Sequence, residues 1–217
     1  MQIRQVENGI ILEDLEDFEP AHVFDCGQCF RWLRQEDGSY TGVAMGRVIN
    51  VCKKDNNIYI DNTSLEDFEN IWYEYFDLGR DYGALKKKLA KMDENLKKAV
   101  EFGPGIRILK QDGWEMLISF IISSNNRIPM IQRAINNISE RYGQKIGTYR
   151  GKDYYAFPSP EELSKASIED LRECKTGFRD KYIYYTTRAV LDENIDVKAF
   201  VDMDHDTCHK ELLKFKG

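Results

Sequence analysis

The sequence has 217 residues, of which 42% are hydrophobic and 31% charged, the proportions of an ordinary globular protein. Its formal net charge of −6 is not the bulk signature of a nucleic-acid-binding protein, although a local basic face can suffice. No apolar run reaches the roughly 18 residues that span a bilayer, and the amino terminus resembles neither a signal peptide nor a transit peptide. We therefore expect a cytoplasmic protein with no membrane partner.

The five cysteines are an odd number in a medium-sized chain, which argues for reduced thiols: Cys26, Cys29, Cys52, Cys174 and Cys208. Cys26 and Cys29 form a CxxC pair, but a structural zinc site needs four ligands, and no second pair or suitably spaced histidines exist. A thioredoxin-type redox pair lies between a strand and a helix, whereas this pair leads into a predicted strand. We predict no metal and no cofactor.

The first sixty residues predict an antiparallel meander. Short apolar segments at 30–34, 40–44, 47–52 and 58–60 are each bounded by turn residues. One of these turns, Asp37-Gly38, is a strong hairpin signal.

From residue 64 the apolar period becomes helical. Capping residues predict helix starts at Ser64, Asp112, Ser159 and Ser167. The predicted helices cover residues 65–75, 85–92, 113–122, 126–142 with Gly143 as its C-terminal cap, 182–190 and 206–215, and two further helices begin after Ser159 and Ser167. We expect every element after residue 105 to be helical. The fold class is therefore α+β, with an N-terminal antiparallel sheet and flanking helices over residues 1–105 and an α-helical domain over 106–217.

Three motifs stand out, at residues 27–32 (Gly-Gln-Cys-Phe-Arg-Trp), 123–126 (Ser-Ser-Asn-Asn) and 177–179 (Gly-Phe-Arg). Individually they have simple structural interpretations: a glycine turn before a strand, a polar cap on an apolar helix, and a packed aromatic after a helix-ending glycine. In this order and combination they resemble the 8-oxoguanine DNA glycosylases of the helix-hairpin-helix superfamily, in their bacterial form.

The resemblance assigns Gly27 and Phe30 to substrate binding. In the family, the carbonyl of the glycine accepts a hydrogen bond from the N7–H that 8-oxoguanine has and guanine lacks. Two bases that differ in one donor are best separated by a buried acceptor, and glycine lets the backbone approach a base closely.

The resemblance also assigns a DNA-binding group consisting of Asn125, Asn126, Met130, Phe178 and Arg179. In the family, the first asparagine fills the gap left by the flipped base and bonds the orphaned cytosine, for which an amide offers both donor and acceptor. The aromatic wedges into the kinked duplex, and the arginine contacts the orphaned base. Met130 stands where animal and yeast members carry arginine, so we expect weaker discrimination of the opposite base.

Basic residues give a mixed signal. A lysine cluster over residues 86–98 is interrupted by acidic residues and indicates a solvated helix face. Better candidates for phosphate contacts lie close to the Gly-Phe-Arg motif or near the end of the sequence: Arg179, Lys181, Arg188, Lys210, Lys214 and Lys216.

The catalytic group of the family lies outside the matched motifs. The last residues of the sequence resemble the first helix of the helix-hairpin-helix, and in the family the hairpin, the nucleophilic lysine and the assisting aspartate come after the position of Gly217. We therefore expect the helix-hairpin-helix domain to be incomplete and the chain by itself to be inactive. The family's activity is flipping and excision of 8-oxoguanine from double-stranded DNA, followed by β-elimination at the abasic site.

Two other functions stay open. One is a related glycosylase for alkylated purines, which would not need Gly27 close to the base. The other is a non-catalytic module that binds damaged DNA. We expect the family's full-length form to be a monomer associated with the nucleoid, and this shorter chain to self-associate through the exposed apolar face of its last helix.

Overall fold

A computed structural model describes residues 1–217 as an α+β protein, as the sequence predicts. The chain forms two compact units, Met1–Gly42 with Val48–Lys110 and Val43–Arg47 with Gln111–Gly217. The main boundary follows Lys110 rather than residue 105, because the intervening segment bonds to the first unit: Ile108 N–H donates to Tyr82 Oη and Lys110 N–H to the Tyr75 carbonyl, both at 2.9 Å. No helix is both long and apolar enough to cross a membrane.

The larger sheet has six strands in the order β1-β2-β6-β5-β4-β3. These are β1 Gln2–Val6, β2 Gly9–Glu13, β3 Trp32–Arg34, β4 Tyr40–Ala44, β5 Arg47–Lys54 and β6 Asn57–Asp61. The meander predicted from the sequence corresponds to β3 through β6 and is confirmed. The sequence analysis did not predict β1 and β2. Neither strand alternates between buried and exposed residues, because β1 is exposed along its whole length and β2 is a continuous buried run.

Five helices complete the first unit: α1 Pro20–Phe24, α2 Leu65–Asp67, α3 Tyr73–Tyr75, α4 Tyr82–Leu89 and α5 Glu94–Phe102. A π-helical turn, Phe68–Trp72, joins α2 to α3 and completes the predicted helix over residues 65–75. The predicted cap is confirmed, because the Ser64 hydroxyl accepts the Asp67 N–H at 3.0 Å.

Aromatic side chains fill the core of this unit. The Trp32 ring stacks on Phe24 at 4.0 Å with an interplanar angle of 12°, and its indole N–H donates to Tyr75 Oη at 2.9 Å. Strand β3 begins at Trp32, two residues after the start that the sequence predicts at Phe30. The intervening residues 25–31 form a bent turn that carries the first motif.

Six α-helices build the second unit: α6 Gly113–Ser123, α7 Ile128–Tyr142, α8 Pro160–Leu163, α9 Ile168–Glu173, α10 Asp180–Asp192 and α11 His205–Leu212. Short 3-10 turns occupy Gly177–Arg179 and Val197–Asp202. The caps predicted at Asp112, Ser159 and Ser167 are confirmed, the latter two as reciprocal capping boxes.

The prediction that all elements after residue 105 are helical is wrong at one place. Residues Lys145–Tyr149 and Lys152–Tyr155 form a separate hairpin, β7–β8. Its two turn residues, Arg150 and Gly151, have φ of +49° and +77°. A two-residue turn with both φ values positive usually contains Asn-Gly or Asp-Gly, so Arg-Gly gives little signal in the sequence.

Gly143 ends α7 as predicted, but for a different reason. Its φ of −82° is open to any residue, so no left-handed cap is present. A Cβ at this position would lie 1.9 Å from the Ala156 carbonyl oxygen and 2.7 Å from that of Ser139. Glycine is therefore required by the close approach of the β8 end to the helix terminus.

Replacing Gly143 with alanine should lower the free energy of unfolding by roughly 1–3 kcal/mol, the usual cost of overpacking a filled site. Urea denaturation monitored by circular dichroism measures the change. Gly79→Ala is the matched control, since the nearest atom to its Cβ would be at 3.4 Å, an ordinary contact. Equal stability of the two variants would contradict the close-approach explanation.

Candidate nucleic-acid interface

Gly27 lies in the turn between α1 and β3 with a φ of +86°. A Cβ at this position would meet no atom within 4 Å. The backbone conformation therefore favours glycine, while the space beside the Cα is open. Any group that reaches this turn can approach the main chain without meeting a side chain on Gly27.

The side chain of Gln28 fixes this turn. Its amide nitrogen donates to the carbonyls of Val23 at 2.9 Å and Arg107 at 2.8 Å, and its amide oxygen accepts the Leu109 N–H at 2.9 Å. The turn that carries Gly27 is thereby tied both to α1 and to residues 107–109. Sequence reasoning gave Gln28 no role, and its only signal was its place in the first motif.

Arg107 is a second supporting residue that sequence reasoning missed. The guanidinium is buried and donates to the carbonyls of Asp17 at 2.7 Å and Asp77 at 2.9 Å. Burial lowers its pKa, because the charged form is removed from water. Its bonds to main-chain carbonyls place the segment that receives Gln28.

Phe30 lies in the core, with its side chain only 4% exposed. The resemblance assigns it to substrate binding, but in this structure its ring is not presented at the surface. Its assignment to substrate binding stays a prediction.

Asn125 and Asn126 follow α6 but have different environments. The Asn126 amide donates to the Ile122 carbonyl at 3.0 Å and accepts the Arg127 N–H at 2.9 Å, so it acts as a C-terminal cap. Asn125 is exposed, has a φ of +48°, and its amide makes no hydrogen bond within the chain. Of the two, Asn125 is the more exposed, and its whole amide is available to a ligand.

Arg179 connects the Asn125 loop to the Gly-Phe-Arg turn. Its Nε donates to the Ser124 carbonyl at 2.8 Å, and its Nη2 donates to the Asn125 carbonyl at 2.9 Å as well as to that of Ser124. A third nitrogen, Nη1, donates to the Thr176 carbonyl at 3.3 Å. The residue is only 6% exposed, and burial lowers its pKa. Arg179 therefore acts on the loop backbone, and its expected contact to an orphaned base would require it to leave these carbonyls.

Phe178 lies beside the set of hydrogen bonds from Arg179 to the carbonyls of Ser124, Asn125 and Thr176, which we call the Arg179 clamp. Gly177, with a φ of +63°, turns the chain so that the Phe178 side chain is 58% exposed. The Arg179 guanidinium lies 4.3 Å from the Phe178 ring centroid, and Tyr182 contacts the ring edge-on at 6.3 Å between centroids. The underside of the ring is thus supported while much of its surface faces solvent.

Met130 is in the first turn of α7 and is 41% exposed. A thioether has no strong donor, so this position cannot supply the hydrogen bonds that an arginine would. No group of three or more histidine, cysteine or acidic side chains is placed to hold a metal ion.

The second unit thus presents the amide of Asn125 and the exposed ring of Phe178 on two loops. The buried guanidinium of Arg179 joins these loops. An amide can replace a Watson–Crick edge, and an apolar ring can enter an opened base step. This pairing suits a protein that opens or kinks a nucleic-acid duplex.

Comparisons with known proteins agree with this geometry. The family described as 8-oxoguanine DNA glycosylase, N-terminal domain, matches residues 10–117. The structure of Clostridium acetobutylicum 8-oxoguanine glycosylase/lyase, in complex with double-stranded DNA containing cytosine opposite 8-oxoG, is 47% identical with a TM-score of 0.95, covering 99% of this chain and 73% of that one. The N-glycosylase/DNA lyase of Saccharomyces cerevisiae is 35% identical, over 89% of this chain and 54% of its own length.

A probable N-glycosylase/DNA lyase of Methanothermobacter thermautotrophicus is 31% identical, over 73% of this chain and 56% of its own length. The chain belongs to the 8-oxoguanine DNA glycosylase/lyase family. It spans about half the length of the curated relatives that it matches.

Arg179→Lys should lower the free energy of unfolding by about 1–3 kcal/mol. The ammonium of lysine cannot donate to the carbonyls of Ser124, Asn125 and Thr176 at once, as the planar guanidinium does. Hydrogen exchange of the amides at residues 123–127 should quicken, which reports the loop directly. Arg188→Lys is the matched control, since Arg188 is exposed and donates to the single carbonyl of Ser164. Unchanged exchange in the Arg179 variant would show that the clamp does not order the loop.

Proposed function

We propose that this chain recognises 8-oxoguanine opposite cytosine in duplex DNA, as part of a base-excision enzyme that removes the base and cleaves the strand at the abasic site. The observation that carries the proposal is the clamp by which Arg179 holds the Asn125 loop beside the Phe178 turn. A relative with a TM-score of 0.95 is bound to double-stranded DNA containing this lesion pair, which supports the same substrate. Such a substrate implies that the protein acts on the nucleoid.

Asn125 and Phe178 have different roles in opening the duplex. The Asn125 amide fills the gap left by the extruded base and bonds the orphaned cytosine, whose edge it can meet with both a donor and an acceptor. The Phe178 ring enters the adjacent step and offsets the cost of unstacking, a few kcal/mol per step. Arg179 positions both groups, and Met130 leaves the opposite base with fewer polar contacts than an arginine would.

Gly27 separates 8-oxoguanine from guanine. Its carbonyl accepts the N7–H of the damaged base, whereas guanine presents an acceptor at N7 and would leave the carbonyl without a donor. Such a mismatch is costly once water is excluded. Because the space beside the Gly27 Cα is open, the base can reach the main chain.

We assign recognition roles only, and no nucleophile, to residues 1–217. Incubating the chain with an 8-oxoguanine duplex and borohydride tests this assignment. A trapped covalent adduct would identify a lysine in these residues that forms a Schiff base and would contradict the assignment.

The chain should bind a duplex with 8-oxoguanine opposite cytosine more tightly than the same duplex with guanine, as measured by fluorescence anisotropy. Gly27→Ala should reduce this preference by about two- to tenfold, the value of one hydrogen bond. Gly38→Ala is the control, because Gly38 has a φ of +82° and equally open space beside its Cα, so the backbone strain is matched. Loss of preference in both variants, or a preference for 3-methyladenine in the unaltered chain, would overturn the proposed specificity.

Asn125→Gly should weaken binding to an abasic-site duplex by up to about tenfold, since it keeps the left-handed backbone and removes only the amide. Asn194→Gly makes the same change at another exposed position, with a φ of +51°, and should leave binding unchanged. If the two variants bind equally, the Asn125 amide does not contact DNA.

A further inference from the structure

The turn that carries Phe178 joins α9 to α10 and has a backbone conformation that needs support. Lys175 and Gly177 are both left-handed, with φ of +70° and +63°. This conformation has no steric cost for glycine, whereas for lysine it is unfavourable. Thr176 lies between them, fully buried, and its hydroxyl donates to the Leu171 carbonyl at 2.8 Å. Contacts with the flanking helices therefore hold the turn in this shape.

An ion pair closes the turn across its base. Arg172, in the last turn of α9, donates from Nε to Oδ2 of Asp180 at 2.7 Å, and Asp180 is the first residue of α10. The other carboxylate oxygen, Oδ1, accepts the Lys181 N–H at 2.6 Å. A negative charge in the first turn of a helix is also stabilised by the unpaired N–H groups there. The ends of the two helices are thereby fixed to each other, with residues 173–179 between them.

The two partners of this pair have opposite environments. Asp180 is only 1% exposed, whereas the Arg172 side chain is 57% exposed. A buried carboxylate needs a charged or hydrogen-bonding partner, and removing one partner of a buried pair is far more costly than breaking a pair at the surface. The buried carboxylate thus confines a surface arginine to one position, and the short turn between them is confined with it.

Phe178 lies between two fixed points. The Arg179 clamp ties its turn to the loop of Asn125, and the ion pair ties the same turn to α9 and α10. The edge-on contact of the Phe178 ring is with Tyr182 of α10, the helix that Asp180 begins. The clamp therefore relates the two loops to each other, whereas the ion pair relates the turn to the helix that supports the ring.

We propose that Arg172 is a positioning residue for duplex opening, which acts through Asp180 to hold the Phe178 ring where it can enter a base step. This inference rests on the proposed function, which gives Phe178 its role as the wedge. Arg172 itself does not touch DNA in this role. An inserted ring offsets the cost of unstacking only when it lies between the bases, so a small displacement of the turn reduces insertion before it reduces folding.

The test is Arg172→Met, which keeps the aliphatic stem and removes the donor, with Arg172→Lys as the conservative variant. The ammonium of lysine extends one atom further than Nε of arginine and so can reach the Asp180 carboxylate. The ligand is a duplex with a tetrahydrofuran abasic-site analogue opposite cytosine and 2-aminopurine beside that cytosine, on one side and then on the other. This fluorescent base becomes brighter when it is unstacked, so its emission at saturating protein measures insertion of the ring.

Arg172→Met should lower the emission at saturation and weaken binding by about two- to tenfold, whereas Arg172→Lys should match the unaltered chain. In a Phe178→Ala background, Arg172→Met should cause no further loss of affinity, because the ring that it displaces is gone. A general structural defect would lower affinity in both backgrounds and would not be rescued by lysine. Equal losses of affinity with and without the Phe178 ring would overturn the inference.

Arg141→Met is the matched control. Arg141 also donates to carboxylates of α9, those of Asp170 and Glu173, and neither of these residues is buried. The same charge is therefore lost without leaving a buried carboxylate. The control should keep the emission and affinity of the unaltered chain, and a fall equal to that of Arg172→Met would contradict the role of Arg172.

Circular dichroism checks that each variant is folded. If Arg172→Met does not fold, Arg172→Met with Asp180→Asn replaces it, because asparagine carries no charge and its amide oxygen can still accept the Lys181 N–H. A folded double variant with the emission of the unaltered chain would refute the inference. If the unaltered chain binds and brightens the duplex and Arg172→Met does the same, this inference alone fails. If the unaltered chain does neither, the proposed function fails with it.

Discussion

A buried guanidinium determines the shape of the candidate interface in the second unit. Arg179 donates to the carbonyls of Ser124, Asn125 and Thr176, which lie on two loops separated by more than fifty residues of sequence. Carbonyls at a helix end have no partner inside the helix, and a charged donor satisfies several of them at once. Arg179 thereby ties the loop of Asn125 to the turn of Phe178, two residues that are both exposed.

In the first unit too, side chains order a loop by donating to several main-chain carbonyls, here from a neutral amide and a charged guanidinium. Gln28 bonds two carbonyls and one N–H around the Gly27 turn, and Arg107, whose carbonyl accepts one of these bonds, donates to two further carbonyls. In both units the residue expected to touch DNA makes few bonds of its own, while a buried neighbour makes many. Exposed groups kept free of internal bonds are available to a ligand, and their supports supply the order that binding would otherwise have to impose.

The sequence predicted those parts of the structure that depend on near neighbours. The caps at Ser64 and Ser159 involve partners three residues away, so a short motif is sufficient to locate them. Gly143 was also placed correctly, but its cause lies in the distant carbonyl of Ala156, which no local pattern contains. The β7–β8 hairpin was missed because its left-handed turn uses Arg150, a residue that rarely adopts this conformation.

In the candidate site too, features that depend on distant residues could not be predicted from the sequence. Its motifs were recognisable in the sequence, but the exposure of Phe178 and the burial of Arg179, adjacent in one motif, follow only from the fold. A net charge of −6 likewise argued weakly against DNA binding, since a sum over the whole chain says nothing about where charges lie. Charge acts over about 10 Å at ordinary ionic strength, so a phosphate responds to the cations within that distance rather than to the total.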